Sequence, residues 1–270
     1  MTGTTRSSRM RLTVLGARGS VSVSGASYAA FGGATSCYAV QAGDELIILD
    51  AGTGIVHAPA VDVRQATILV SHLHLDHLEG LGMYERLSRL GARTMLYLPV
   101  HSNQQALEAL ERLYSPPLWP LKLTEYGGEL VVRAMPHTLR IGEVVATTIE
   151  GNHPGGCRVI KLCHNGQVIV YATDYEYEPS SFSRLAEFSR DADLLLFDAQ
   201  YSDEQLRQRA GFGHSSADIG LELQRQSGAK HLLLTHHDPH STDAMLAARE
   251  RALLPFPHAS YAREGEVIEL

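Results

Sequence analysis

The segment Ser71-His-Leu-His-Leu-Asp-His77 places four imidazole or carboxylate groups, His72, His74, Asp76 and His77, within six residues. Neutral imidazoles and ionised carboxylates are the side chains that hold divalent cations, and a single tetrahedral zinc needs only about four ligands in all. So many donors in one short segment point to a pair of metal ions. The preceding run Ala66–Val70 reads as a buried strand. The alternation after it predicts that His72, His74 and Asp76 project to one side of an extended loop while Leu73 and Leu75 face the core. A helix-like pattern from Leu78 then swings His77 towards the second ion. An exposed His-rich turn is the bland alternative, but it offers nothing in return for desolvating four such groups at a strand end.

The elements that must position these groups are also readable. Apolar runs at Leu12–Leu15, Leu46–Leu49, Ala66–Val70, Val168–Ala172, Leu194–Phe197 and His231–Thr235 predict buried strands. Spacings of three and four predict helices over Leu78–Leu90, Gln104–Leu113, Ser181–Ser189, Ser215–Gln226 and Thr242–Leu253. Early strands follow one another directly and later ones alternate with helices, which predicts an α/β sheet system with helices outside. The irregular stretch Leu113–Leu121, with Pro116, Pro117, Trp119 and Pro120, reads either as a loop leaning over a pocket or as a packed connection.

Composition narrows the function. The chain has 270 residues, 44% of them hydrophobic, and a net charge of −7 with no cluster of four basic residues. It therefore advertises no phosphate-tracking surface, and a long nucleic acid is disfavoured as substrate. No apolar run of about eighteen residues is present to span a membrane. Residues 1–9 are expected to be a disordered lead-in and 10–270 one domain, with no linker or repeat dividing it. Three cysteines, Cys37, Cys157 and Cys163, are too few for a disulfide framework, so they are expected as free thiols in a reducing compartment, the cytoplasm. Fourteen histidines are the compositional oddity.

The His-x-His-x-Asp-His pattern at 72–77 resembles the first signature of the metallo-β-lactamase superfamily. The resemblance extends to Asn152-His-Pro-Gly-Gly156, to Tyr171-Ala-Thr-Asp174, to Leu234-Thr-His236 and to Asp50 in Leu49-Asp-Ala-Gly-Thr-Gly54. It implies an αββα sandwich. It further implies His72, His74 and His153 on one metal ion, Asp76, His77 and His236 on the other, Asp174 bridging them, and Asp50 behind the ligands. Two divalent ions are expected, zinc first and manganese or iron as alternatives. His236 is preferred to its neighbour His237 because it directly follows Leu232-Leu-Leu-Thr235. His57, His101, His137, His164, His231, His240 and His258 are read as surface or satisfied core residues.

His214, in Gly211-Phe-Gly-His-Ser-Ser-Ala217, stands at the mouth of a predicted helix whose first N–H groups would face an anion. In the ribonuclease Z-like phosphodiesterase branch a histidine in a similar motif contacts the phosphate and acts as acid, backed by a strand-end carboxylate. Asp198 occupies that place here. The Leu15–Ser20 and Phe31–Cys37 segments resemble the same branch, although Ala34 replaces its usual asparagine. The reading is a metal-dependent hydrolase: a cytoplasmic zinc phosphodiesterase that attacks a small or cyclic phosphodiester through a metal-bridging hydroxide. In it Asp76, His214 and Asp198 are catalytic, and the resemblance suggests a homodimer. One alternative is a hydrolase of lactones, thioesters or other carboxyl derivatives. Another, of a different class, is a non-catalytic ligand-binding regulator with the same fold.

Overall fold

In the computed structural model, residues 9–61 and 63–270 are described, so the expected disordered lead-in lies almost wholly outside the described residues. Fourteen strands form two sheets among them. The first carries β1 (Met10–Gly16), β2 (Cys37–Ala42), β3 (Glu45–Leu49), β4 (Gln65–Leu69), β5 (Arg93–Leu98) and β6 (Glu129–Ala134). The second carries β7 (Thr138–Ile141), β8 (Val144–Gly151), β9 (Cys157–His164), β10 (Gln167–Ala172), β11 (Leu194–Asp198), β12 (His231–Thr235) and β13 (Ala259–Tyr261). The last strand, β14 (Val267–Glu269), returns to the first sheet and pairs antiparallel with β1. Strand orders are β14-β1-β2-β3-β4-β5-β6 and β13-β12-β11-β10-β9-β8-β7.

Three apolar layers explain why these runs are strands. Between the sheets, Leu12, Val14, Val40, Ile47, Leu49 and Leu69 meet Ile160, Leu162, Ile169, Leu194, Leu196 and Leu233. The intervening residues face outwards. Ile48, Ile68 and Leu96 pack beneath α1 (Glu85–Ser88) and α2 (Asn103–Leu113). On the opposite side Leu195, Phe197, Leu232 and Leu234 pack with α3 (Pro179–Phe188), α5 (Ala217–Ser227) and α6 (Asp243–Ala252). A short α4 (Asp203–Gln208) precedes α5 and starts with a capping box at Ser202. The result is the αββα sandwich. Strands covered on both faces read as continuous apolar runs, which is why β3, β4, β10, β11 and β12 are visible in the sequence.

Two expectations fail. The helix over Leu78–Leu90 breaks into turns at Leu75–His77 and Leu81–Met83 followed by the four-residue α1. A Cβ at Gly80 would sit 2.1 Å from the Gly52 carbonyl oxygen, so a continuous helix cannot pass this close approach. Leu73 and Leu75 do not face the core either, being 38% and 60% exposed. The chain beyond β4 leaves the sheet, and its buried positions belong to His72, Asp76 and His77, with His74 exposed. Leu113–Leu121 is a packed connection: Trp119 stacks edge-on against Tyr114 and its Nε1–H donates to Tyr126 at 2.7 Å. Among the described residues no helix is long and apolar enough to cross a membrane.

Candidate metal centre

The strands β3 to β6 run parallel, as do β10 to β13, and the groups singled out in the sequence follow the carboxyl ends of these strands. In open α/β sheets this edge is where ligands bind. Asp50, Asp174 and His236, just beyond β3, β10 and β12, have φ of 59°, 54° and 60°. Left-handed backbone at three non-glycine residues is unfavourable, and its clustering here marks a site whose geometry the surrounding structure enforces.

The seven expected ligands converge. Donor atoms of His72, His74 and His153 lie within 4.8 Å of one another, as do those of Asp76, His77 and His236. Asp174 stands between the two groups. Its Oδ1 is 3.7 Å from His72 Nε2 and 3.8 Å from His153 Nε2, while its Oδ2 is 3.2 Å from both His77 Nε2 and His236 Nε2. One carboxylate thus presents one oxygen to each cluster. All seven are buried except His74. His237 is in neither cluster: its Nε2–H donates to the Ala262 carbonyl at 2.8 Å and its ring lies against Phe31 and Tyr261.

The outer contacts orient the rings. His77 Nδ1 meets Asp50 Oδ2 at 2.7 Å, and Asp50 also accepts from the Ser71 amide, the Ser71 hydroxyl and the Tyr171 hydroxyl. His153 Nδ1 donates to the Gly213 carbonyl at 2.8 Å, and His236 Nδ1 to Gln200 Oε1 at 2.8 Å. In each case the ring proton is held on the outside and the other nitrogen turns inward, as metal-binding histidines require. Ser71, Tyr171, Gly213 and Gln200 had no signal of their own in the sequence. Their roles come from backbone carbonyls and neutral side chains that only the fold brings near.

Electrostatics fit divalent cations. His72 Nε2 and His77 Nε2 are buried without a hydrogen-bond partner, an expensive condition for two converging nitrogens unless a metal takes their lone pairs. Burial pushes the His72 pKa well below the ordinary histidine value, with the neighbouring His77 adding to the effect, so it is kept neutral. Burial alone would raise the Asp174 pKa, but His236, His77 and His72 outweigh it and hold the carboxyl well below the usual range. Burial likewise opposes charge on His77, yet Asp174, Asp50 and Asp76 override it and raise its pKa well above normal. The pocket is built to hold positive charge. Of the thiols, Cys37 and Cys157 are buried with pKa raised by desolvation, and Cys157 Sγ–H donates to the Asp174 carbonyl at 3.3 Å. Neither belongs to a ligand cluster among the described residues.

His214 lies beside the second cluster. Its ring stacks on His236 with centroids 4.9 Å apart, and its Nδ1 is 2.7 Å from Asp198 Oδ2. Burial opposes its charged form, but Asp198, through charge and hydrogen bond, and then Asp174 and Asp76 raise the pKa to about 9. The Ser215 N–H, just ahead of the Ser216 N-cap of α5, donates to Asp198 Oδ1 at 3.1 Å. The loop that carries His214 is held by Glu176, which accepts from the Gly211 and Gly213 amides at 2.6 and 2.9 Å.

Fold and site together define a metallo-β-lactamase-type centre. The family model described as a β-lactamase superfamily domain matches residues 46–237, and the chain belongs to that superfamily. It is 26% identical over 235 residues to the probable metallo-hydrolase YhfI of Bacillus subtilis, covering 84% of this chain and 86% of that one. Identity to ribonuclease Z of Methanosarcina acetivorans is 25% over 284 residues, covering 87% and 89%. The crystal structure of the metallo-β-lactamase fold protein YhfI has a TM-score of 0.74 at 21% identity, covering 98% of this chain and 100% of the other. A diphosphatase from the PhnP family has a TM-score of 0.71 at 20% identity, covering 97% and 98%.

Proposed function

We propose that the protein is a two-metal phosphodiesterase acting on a small or cyclic phosphodiester. The observation that carries this reading is the His214–Asp198 pair placed beside the second cluster. A thioester expels a thiolate that needs little help, whereas departure of an alkoxide from phosphorus calls for a positioned acid. The likeness to ribonuclease Z supports phosphate chemistry. A cleft of about 480 Å³ beside His72 and His74, walled by Gln105, Glu108 and Arg112 of α2, supports a small substrate.

His72, His74 and His153 would hold one divalent ion, Asp76, His77 and His236 the other, and Asp174 both; mixed imidazole and carboxylate donors favour zinc. When bound, such a pair supplies Lewis-acid charge and brings the pKa of a shared water towards neutrality. Asp76, whose Oδ2 receives the Ser20 N–H at 2.7 Å, would be held in place to orient such a water. Asp198 keeps the His214 proton on Nδ1 and stabilises the charged ring, so Nε2–H is the donor to the leaving oxygen. With Asp174 and Asp76 engaged by metal, Asp198 is the carboxylate that sustains this proton.

Removal of the acid tests the reading. His214→Ala should keep its metals and lose about 10²–10⁴ in rate on an alkyl or nucleoside phosphodiester. It should lose much less on bis-p-nitrophenyl phosphate, whose phenolate leaves unaided. Asp198→Asn should show a milder form of the same pattern. Equal losses on both esters would make His214 a phosphate binder. Turnover of lactones in place of every phosphodiester would move the protein to carboxyl hydrolysis.

A further inference from the structure

A chain of hydrogen bonds runs along the second cluster. Asp76 Oδ2 accepts the Ser20 N–H at 2.7 Å, and Ser20 Oγ accepts from Gln200 Nε2 at 3.3 Å. Gln200 Oε1 receives His236 Nδ1–H at 2.8 Å, which leaves the His236 Nε2 lone pair turned inward, 3.3 Å from Asp76 Oδ2. Gln200 is buried, and its own amide is pinned by Asp198 Oδ1 at 3.0 Å, so its side chain leaves the end of β11 in a fixed direction.

The same glutamine separates two histidines that would otherwise share a partner. His214 and His236 are stacked, and their Nδ1 atoms lie 2.7 and 3.9 Å from the one oxygen Asp198 Oδ2. Gln200 supplies His236 with an acceptor of its own, leaving Asp198 Oδ2 to His214 and to the Asp174 amide. A neutral amide also adds no further negative charge beside Asp76, Asp174 and Asp198.

We infer that Gln200 is a positioning residue that fixes the tautomer of His236 and thereby sets metal affinity at the Asp76–His77–His236 cluster, while reserving Asp198 for His214. The inference rests on reading the two clusters as metal sites. Loss of such an outer partner typically weakens metal binding about 10–100-fold. Calorimetric titration of metal-free protein with zinc should show two sites in the wild type. Gln200→Leu should leave one unchanged and weaken the other about 10–100-fold, and Gln200→Glu, which keeps the acceptor, should recover most of the loss. In imidazole ¹H–¹⁵N spectra of the metal-loaded protein, the His236 Nδ1–H signal should be protected from solvent exchange in the wild type and exposed to it in Gln200→Leu. Two unchanged sites in Gln200→Leu would overturn the inference. So would equal weakening of both sites together with a lower melting temperature of the metal-free variant, which marks a general structural role. Failure of the wild type to bind zinc at all would instead remove the metal-site reading, and this inference with it.

Discussion

Asp174 is the residue on which both clusters depend, because its two oxygens face different sets of histidines. Asp174→Ala should therefore bring bound metal below one ion per chain and abolish turnover, as measured by elemental analysis after reconstitution. His237→Ala should lose stability through the cavity it leaves, yet retain both ions. Loss of metal from the His237 variant and not from His236→Ala would show that the ligand register is off by one. His237 also has a pH signature. Burial, chiefly, lowers its pKa to about 3, so the folded chain refuses a proton that the unfolded chain takes up below about 6.5. Stability from this group is present above about pH 6.5 and is lost as pH falls towards 3. In chelator-treated protein the advantage of wild type over His237→Gln in chemical unfolding should shrink by about 1.6 kcal/mol between pH 6.5 and 5; an unchanged gap would contradict this. The converging side chains were legible because metal chemistry demands particular residue types at short spacings. Gln200, Ser71 and the Gly213 carbonyl were not, since many residues can supply a hydrogen-bond acceptor and only the fold selects which one does.

At the scale of elements, legibility follows coverage. The runs Leu46–Leu49, Leu194–Phe197 and Leu232–Leu234 are apolar throughout because sheet lies on one side and helix on the other. By contrast β5, β8 and β9 alternate buried and partly exposed residues, which broke their apolar signal. Alternation after β4 was read with its faces reversed, since a metal pocket, and not apolar core, lies on its buried side. The 211–214 loop shows how an element serves the site without contributing a ligand. Gly213 has φ of +89°, and a Cβ there would fall 2.2 Å from His153 Nδ1. Gly213→Ala should thus displace His153 and His214 together, weakening metal binding and slowing turnover even at saturating metal. A crystal structure with both rings in place, or unchanged kinetics, would show that the loop is more compliant than its contacts with Glu176 imply.

For the whole molecule, the two sheets share one apolar core and offer the same edge of their parallel strands, so the candidate ligands that follow β4, β10 and β12 meet between them. Four buried carboxylates, Asp50, Asp76, Asp174 and Asp198, sit within that junction, and metal binding should offset their mutual repulsion. Chelation should accordingly lower the melting temperature, and zinc should restore it in a concentration-dependent way. The central claim is that two ions on these seven residues make the chain a phosphodiesterase. Its most direct test is the rate of bis-p-nitrophenyl phosphate hydrolysis as zinc is added stepwise to metal-free protein. The account predicts a rate that climbs and levels off at two equivalents per chain. A plateau at one equivalent, or no turnover with two ions bound, would contradict it.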